Sequence, residues 1–148
     1  MKRQAFKSIL HEMTQTTPTA LWNDSCAIQE LSSSIEGNGA VGATCNPVIV
    51  LSVIKKEWGE WKDRILQIAR ENPAASEDRL AWMLVEEMSR KAAALLKPIY
   101  DREKGRNGRL SIQTNPAFYR DAEAIVEQAV RFHGLAPNMI VKLSLIHI

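Results

Sequence analysis

Asn138-Met139-Ile140-Val141-Lys142-Leu143 is the stretch from which the rest of this chain is best read. It is short, apolar and partly β-branched, and it follows a helix-like stretch closed by Gly134 and Pro137. Such a run reads as a buried strand of a parallel sheet. Lys142 is the exception within it. Desolvating an ammonium group is costly, and a lysine in such a place tends to give up its proton and become a nucleophile for carbonyl carbon. Lys142 is therefore a candidate Schiff-base former. The alternative is a lysine at the strand's end, with its stem packed and its head in water.

Moving outward from that strand, the pattern alternates strands with helices. Phe6, Ile9, Leu10 and Met13 have helical spacing and predict an opening helix that ends near residue 15. A strand is expected over 19–23, a short helix over 27–35 and a second strand over 40–44, ending in Cys45-Asn46-Pro47. Three helical pieces follow, over 48–56, 58–71 and 76–97. The third has Ser76 as N-cap, Glu77 and Asp78 in its first turn, and Pro98 as its stop. A third strand is expected over 110–114. A helix over 121–133 should turn Ala122, Ile125, Val126, Ala129 and Val130 inward. Alternation of this kind implies parallel βαβ units with right-handed crossovers. Polar residues stand where the four strands end: Asp24, Asn46, Gln113 and Lys142. Catalytic residues of a (β/α)8 barrel come from those strand ends. Taken singly, each has a plainer reading: Asp24 as a helix cap, Asn46-Pro47 as a turn, Gln113 as an edge residue.

The chain has 148 residues, enough for one domain with a real core, and its 45% hydrophobic and 24% charged content is that of a globular protein. Net charge is +2 and pI about 8.6, with no run basic enough to predict nucleic-acid binding. Cys26 and Cys45 lack metal-ligand or disulfide-framework spacing, so no metal is expected. No secretory leader is read at the N-terminus and no apolar run has membrane-spanning length, which makes the cytoplasm the default location.

Gly42-Ala43-Thr44-Cys45-Asn46-Pro47 resembles the GxTTNP motif of the transaldolase family. Three more segments agree in order and spacing. Leu21-Trp22-Asn23-Asp24-Ser25 resembles the family's first strand, with its acidic end. Leu110-Ser111-Ile112-Gln113 with Pro116 resembles the third, and Asn138 to Lys142 the fourth, which carries the Schiff-base lysine. The resemblance implies the first four strands of an incomplete (β/α)8 barrel with their helices and an added N-terminal helix. It further implies a metal-free, cofactor-free enzyme acting on sugar phosphates. Such an enzyme moves a dihydroxyacetone unit from a ketose phosphate to an aldose phosphate in the pentose phosphate pathway. By resemblance, Lys142 attacks the donor ketone, and Asp24 shuttles the proton of the C4 hydroxyl. Asn46, with Thr44 of the same motif, holds the substrate.

This chain departs from the family at two positions. Gln113 stands where the family usually has glutamate that positions the catalytic water, and glutamine there resembles the fructose-6-phosphate aldolase branch. Cys45 replaces the motif's second threonine, an exchange expected to have a mild effect. A (β/α)8 barrel needs about 250 residues, and this chain stops at its fourth strand. Residues 143–148, Leu-Ser-Leu-Ile-His-Ile, depart from the family's continuation and match the translation of a transposase adapter used in sequencing libraries. The expectation is thus a barrel half over 1–142 with a non-native tail, inactive alone, in which His147 is not catalytic. The phosphate-binding residues would then be missing from the chain, and the complete parent could be a homodimer or a monomer. The other readings are an aldolase without a transfer acceptor and a non-catalytic half-barrel that serves in binding or assembly.

Overall fold

The computed structural model describes residues 5–143. In chain order the elements are α1 (Ile9–Thr16), β1 (Trp22–Asn23), α2 (Ile28–Asn38), β2 (Gly42–Cys45), α3 (Pro47–Lys56), α4 (Trp58–Glu71), α5 (Glu77–Arg102), β3 (Arg109–Gln113), a 3₁₀ turn (Pro116–Phe118), α6 (Ala122–His133) and β4 (Met139–Lys142). The strands form one parallel sheet in the order β1-β2-β3-β4. Strands added one after another by right-handed crossovers keep their helices on one face. A doubly wound sheet reverses direction and covers both faces. The sequential order with helices packed on one face is that of the first half of a (β/α)8 barrel.

Alternate residues of each strand build the covered face. Ala43, Cys45, Leu110, Ile112 and Met139 are at most 1% exposed and belong to one core. From α5 this core receives Met88, Ala92, Ala93 and Leu96, from α6 Phe132, and from α2 Leu31, all fully buried. Buried amides join the layers. Asn138 is 1% exposed and donates from Nδ2 to the Ala93 and Gly108 carbonyls, both at 2.8 Å. Gln128 on α6 accepts the Asn115 N–H at 2.6 Å and so holds the segment that follows β3. The helix starts obey capping chemistry: Asn46, Ser76 and Asp121 each accept a backbone N–H of the first turn.

Three expectations are corrected. Pro98 does not end α5, which continues to Arg102. The ring removes one helical hydrogen bond. Leu96 and Ile99 are nevertheless buried on either side of it, and Lys97 pairs with Asp101 at 2.6 Å. Gly108, at φ +76°, lies so close to this turn that a Cβ there would fall 2.1 Å from the Tyr100 nitrogen. Burial of Ile99 and the close packing of Tyr100 on Gly108 offset the lost bond. The inward face of α6 is also different: Gln128 and Phe132 are buried, while Val126 and Val130 are 60% and 68% exposed. Phe132 packs against Trp82 with ring centroids 5.8 Å apart, and seating that ring fixes the helix rotation. The opening helix forms as expected, over Ile9–Thr16, but it buries none of its residues, and Ile9 and Leu10 are exposed. Polar contacts attach its start instead, through Ser8 to Asn38 and Lys7 to the Glu36 carbonyl. Finally, β4 is buried at Met139 and exposed at Lys142, because β4 has one neighbour in the sheet and Lys142 lies on the uncovered face. Residues 144–148, including His147, lie outside the described residues.

Candidate active site

In a parallel sheet all strands run the same way, so their C-terminal ends meet at one edge. The register sets the heights there. Trp22 pairs with Gly42 and Asn23 with Ala43, which puts Asp24 level with Thr44. Thr44 pairs with Ser111, and Ser111 with Ile140. Two residues higher, Gln113 pairs with Lys142. Asn46 keeps an extended backbone, φ −151° and ψ 168°, and continues β2 to that same level. The open face therefore has two tiers at its C-terminal edge, Asp24, Thr44, Ser111 and Ile140 below, and Asn46, Gln113 and Lys142 above. Below both, the Trp22 ring lies on Gly42 so closely that a Cβ at Gly42 would come within 2.5 Å of it. Only glycine leaves room for that indole.

Each candidate side chain has a defined setting. Thr44 Oγ1 donates to Asp24 Oδ1 at 2.5 Å, which ties the ends of β1 and β2 and leaves the other carboxylate oxygen without a hydrogen-bond partner among the described residues. Asn46 Oδ1 accepts the Ile49 N–H at 2.9 Å. That bond needs an oxygen acceptor, so it fixes the amide orientation and leaves Nδ2 as a donor. The turn reading of Asn46-Pro47 and the site reading are thus compatible in one residue: its oxygen caps α3 and its nitrogen has no partner among the described residues. Asp24 does not cap α2, whose N-cap is Ala27. Gln113 is half-buried and Lys142 exposed; neither side chain has a hydrogen-bond or ion-pair partner among the described residues. The arrangement offers an amine, a carboxylate with a fixed hydroxyl donor, and two amides along one edge.

The sequence reading missed what lies behind this edge. Cys45 faces the helices, away from its neighbours Thr44 and Asn46, and its Sγ is 3.0 Å from that of Cys26. Exchange at this motif position therefore alters the core rather than the site. Ser89 is fully buried on α5 and faces the same thiol. A polar residue on the apolar stripe Val85-Met88-Ala92-Leu96 was the available signal. Among the described residues, no three His, Cys, Asp or Glu side chains are grouped to hold a metal ion, and no helix is long and apolar enough to cross a membrane.

A family model described as Transaldolase/Fructose-6-phosphate aldolase matches residues 21–147. The chain is 28% identical over 131 residues to transaldolase 1 of Streptomyces avermitilis, covering 84% of this chain and 34% of that protein. It is 26% identical over 143 residues to a transaldolase of Kocuria rhizophila, covering 86% and 38%. It is 29% identical over 115 residues to one of Thiobacillus denitrificans, covering 76% and 31%. The chain thus spans about a third of the length of the curated relatives it matches.

Proposed function

Because this chain belongs to the transaldolase/fructose-6-phosphate aldolase family, we propose that it forms part of a Schiff-base transaldolase. The full-length protein would transfer a dihydroxyacetone unit from sedoheptulose 7-phosphate or fructose 6-phosphate to an aldose phosphate. The Lys142 amine adds to the donor ketone, and loss of water gives the imine. Asp24 takes the proton of the C4 hydroxyl as the C3–C4 bond breaks, and the protonated imine accepts the bond's electron pair. The enamine then adds to the acceptor aldehyde, and Asp24 returns its proton. Asn46 Nδ2 donates to a hydroxyl of the bound donor and holds it for attack. Thr44 fixes the Asp24 carboxylate. Gln113 orients the water of imine formation and hydrolysis; an amide can hold water but cannot take its proton.

The observation that carries this reading is the two-tier edge, with Asp24 bound to Thr44 and with Asn46, Gln113 and Lys142 level above them. Lys142 is exposed in the described part of the molecule. Further strands closing over the open face would remove water from the amine and favour its neutral form. The test is borohydride reduction of the full-length protein with fructose 6-phosphate. The expected result is a covalent adduct on Lys142; an adduct elsewhere with Lys142 unmodified overturns the assignment.

A second reading rests on Gln113, which lacks the carboxylate usual at that strand end. In it the same imine chemistry releases dihydroxyacetone without an acceptor. Product analysis with and without an aldose phosphate separates the two readings.

A further inference from the structure

Cys26 and Cys45 are free thiols, 0% and 1% exposed, and their Sγ atoms are 3.0 Å apart. The reaction above uses neither. Cys26 follows Asp24 by two residues in the irregular segment between β1 and α2, and Cys45 is flanked by Thr44 and Asn46. The pair thus sits directly behind the residues at the catalytic edge. Beside it, Ser89 is fully buried and its hydroxyl has no hydrogen-bond partner among the described residues. That hydroxyl faces Cys45 and can donate to a thiolate there.

The two sulfurs are not equivalent. The contact with the Cys26 sulfur holds the Cys45 thiol below its ordinary range; burial opposes this and the Ser89 hydroxyl reinforces it. The same contact pushes the Cys26 thiol up, with burial adding to the effect. Of two thiols in contact, one can attack and the other resolve, and the direction of these shifts gives the attack to Cys45.

We propose that Cys26 and Cys45 form an oxidation site that closes to a reversible disulfide on reaction with a hydroperoxide. The Cys45 thiolate attacks one peroxide oxygen, the O–O bond breaks, and the departing hydroxide takes a proton to become water. Cys45 is then a sulfenic acid. The Cys26 sulfur attacks Cys45 Sγ, the S–O bond breaks, and hydroxide leaves with the Cys26 proton as a second water. Two thiols lose two electrons to the peroxide, and a dithiol reductant restores them. Burial selects the oxidant: a bulky disulfide such as oxidised glutathione cannot reach either sulfur, whereas hydrogen peroxide needs only a brief opening of the segment around Cys26. Contact between the thiols favours the disulfide over further oxidation of Cys45. The bond joins the segment carrying Asp24 to the strand end carrying Thr44 and Asn46, so it bears on the catalytic edge whichever sugar chemistry that edge performs.

The test treats the folded full-length protein with a small excess of hydrogen peroxide, then denatures it, blocks free thiols with iodoacetamide and maps the peptides by mass. The expected product lacks two hydrogens per chain, joins the Cys26 and Cys45 peptides, and reverts with dithiothreitol. In Cys26→Ala, Cys45 should instead accumulate sulfinic acid. Cys45→Thr restores the family's own residue and should leave Cys26 reduced. Complete alkylation of both cysteines after peroxide overturns the proposal. So does sulfinic acid on Cys45 of the unmutated protein without a cross-link.

Discussion

On the covered face of the sheet Ala43, Cys45, Leu110, Ile112 and Met139 are sealed under helices; on the open face Thr44 and Gln113 are half-buried and Lys142 is exposed. Both faces come from the same four strands, one residue out of phase. The covered face is apolar and carries much of the stability. The open face is polar at its upper tier, where Asn46, Gln113 and Lys142 carry an amide nitrogen, an amide and an amine that the core does not use. A strand of four or five residues thus divides its labour by parity, and a one-residue slip in register would exchange core and site.

Substitutions on the two faces should therefore fail in different ways. The largest expected effect is on the open face: Lys142→Arg should abolish turnover of the full-length protein with little loss of stability, because guanidinium stays protonated and cannot add to a ketone. A kinetic assay of sugar-phosphate transfer beside a urea melt reads both. Asp24→Asn should lower the rate by about 10²–10⁴-fold, the range for a lost general acid/base, with the fold retained; near-normal turnover would remove Asp24 from the mechanism. On the covered face, Leu110→Ala should cost about 2–5 kcal/mol in denaturant unfolding, since the void lies in a fully buried layer. Gln113→Ala, three residues along the same strand and of opposite parity, should cost less than about 0.5 kcal/mol. Equal losses would show that the open face is structural too.

Smaller effects sharpen the contrast further. Gln113→Glu should alter the ratio of transfer to free dihydroxyacetone release, because a carboxylate can take a proton from the water an amide only holds. At the outer rim of the covered side, Glu87 accepts from Arg64 at 2.8 Å and pairs with Lys91 at 2.9 Å. Burial alone would raise its carboxyl, but the two cations outweigh burial and hold it below the ordinary range. A depressed folded-state pKa contributes stability above the unfolded value, about 4.3, and that contribution is lost as pH falls through the folded value. Glu87→Gln should therefore cost roughly 0.5–1 kcal/mol near neutrality, and the difference should vanish in acid.

The sequence was most legible where local pattern and tertiary demand agree. The segment 58–71 is helical to both ends as read, Ser76 and Asp121 cap as their chemistry requires, and the strand-end residues share one edge. It was least legible where a neighbour distant in sequence decides. Pro98 is a stop signal in isolation, yet the helix runs on past it, with Ile99 buried and Tyr100 packed on Gly108. Val126 and Val130 look inward by composition, but Phe132 sets the rotation of α6. Cys26 and Cys45 are nineteen residues apart and share no motif; they meet because β1 and β2 are adjacent in the sheet. The buried reading of Lys142 assumed cover on both faces of β4, and the described sheet has it on one.

The two hydrogen bonds of Asn138 also bear on the order in which the molecule assembles. Its acceptors lie 45 and 30 residues earlier, on α5 and just before β3. A ribosome finishes both acceptor segments before it makes Asn138, and those segments can already be packed on each other through Gly108 when it emerges. The amide then arrives as a latch with two waiting catches, and β4 can register only on a partner that has already formed. Removing the latch, as in Asn138→Leu, should slow the docking of the lysine-bearing strand far more than it slows the collapse of β2 and β3 under α5. Refolding followed by pulsed hydrogen exchange would resolve the two events.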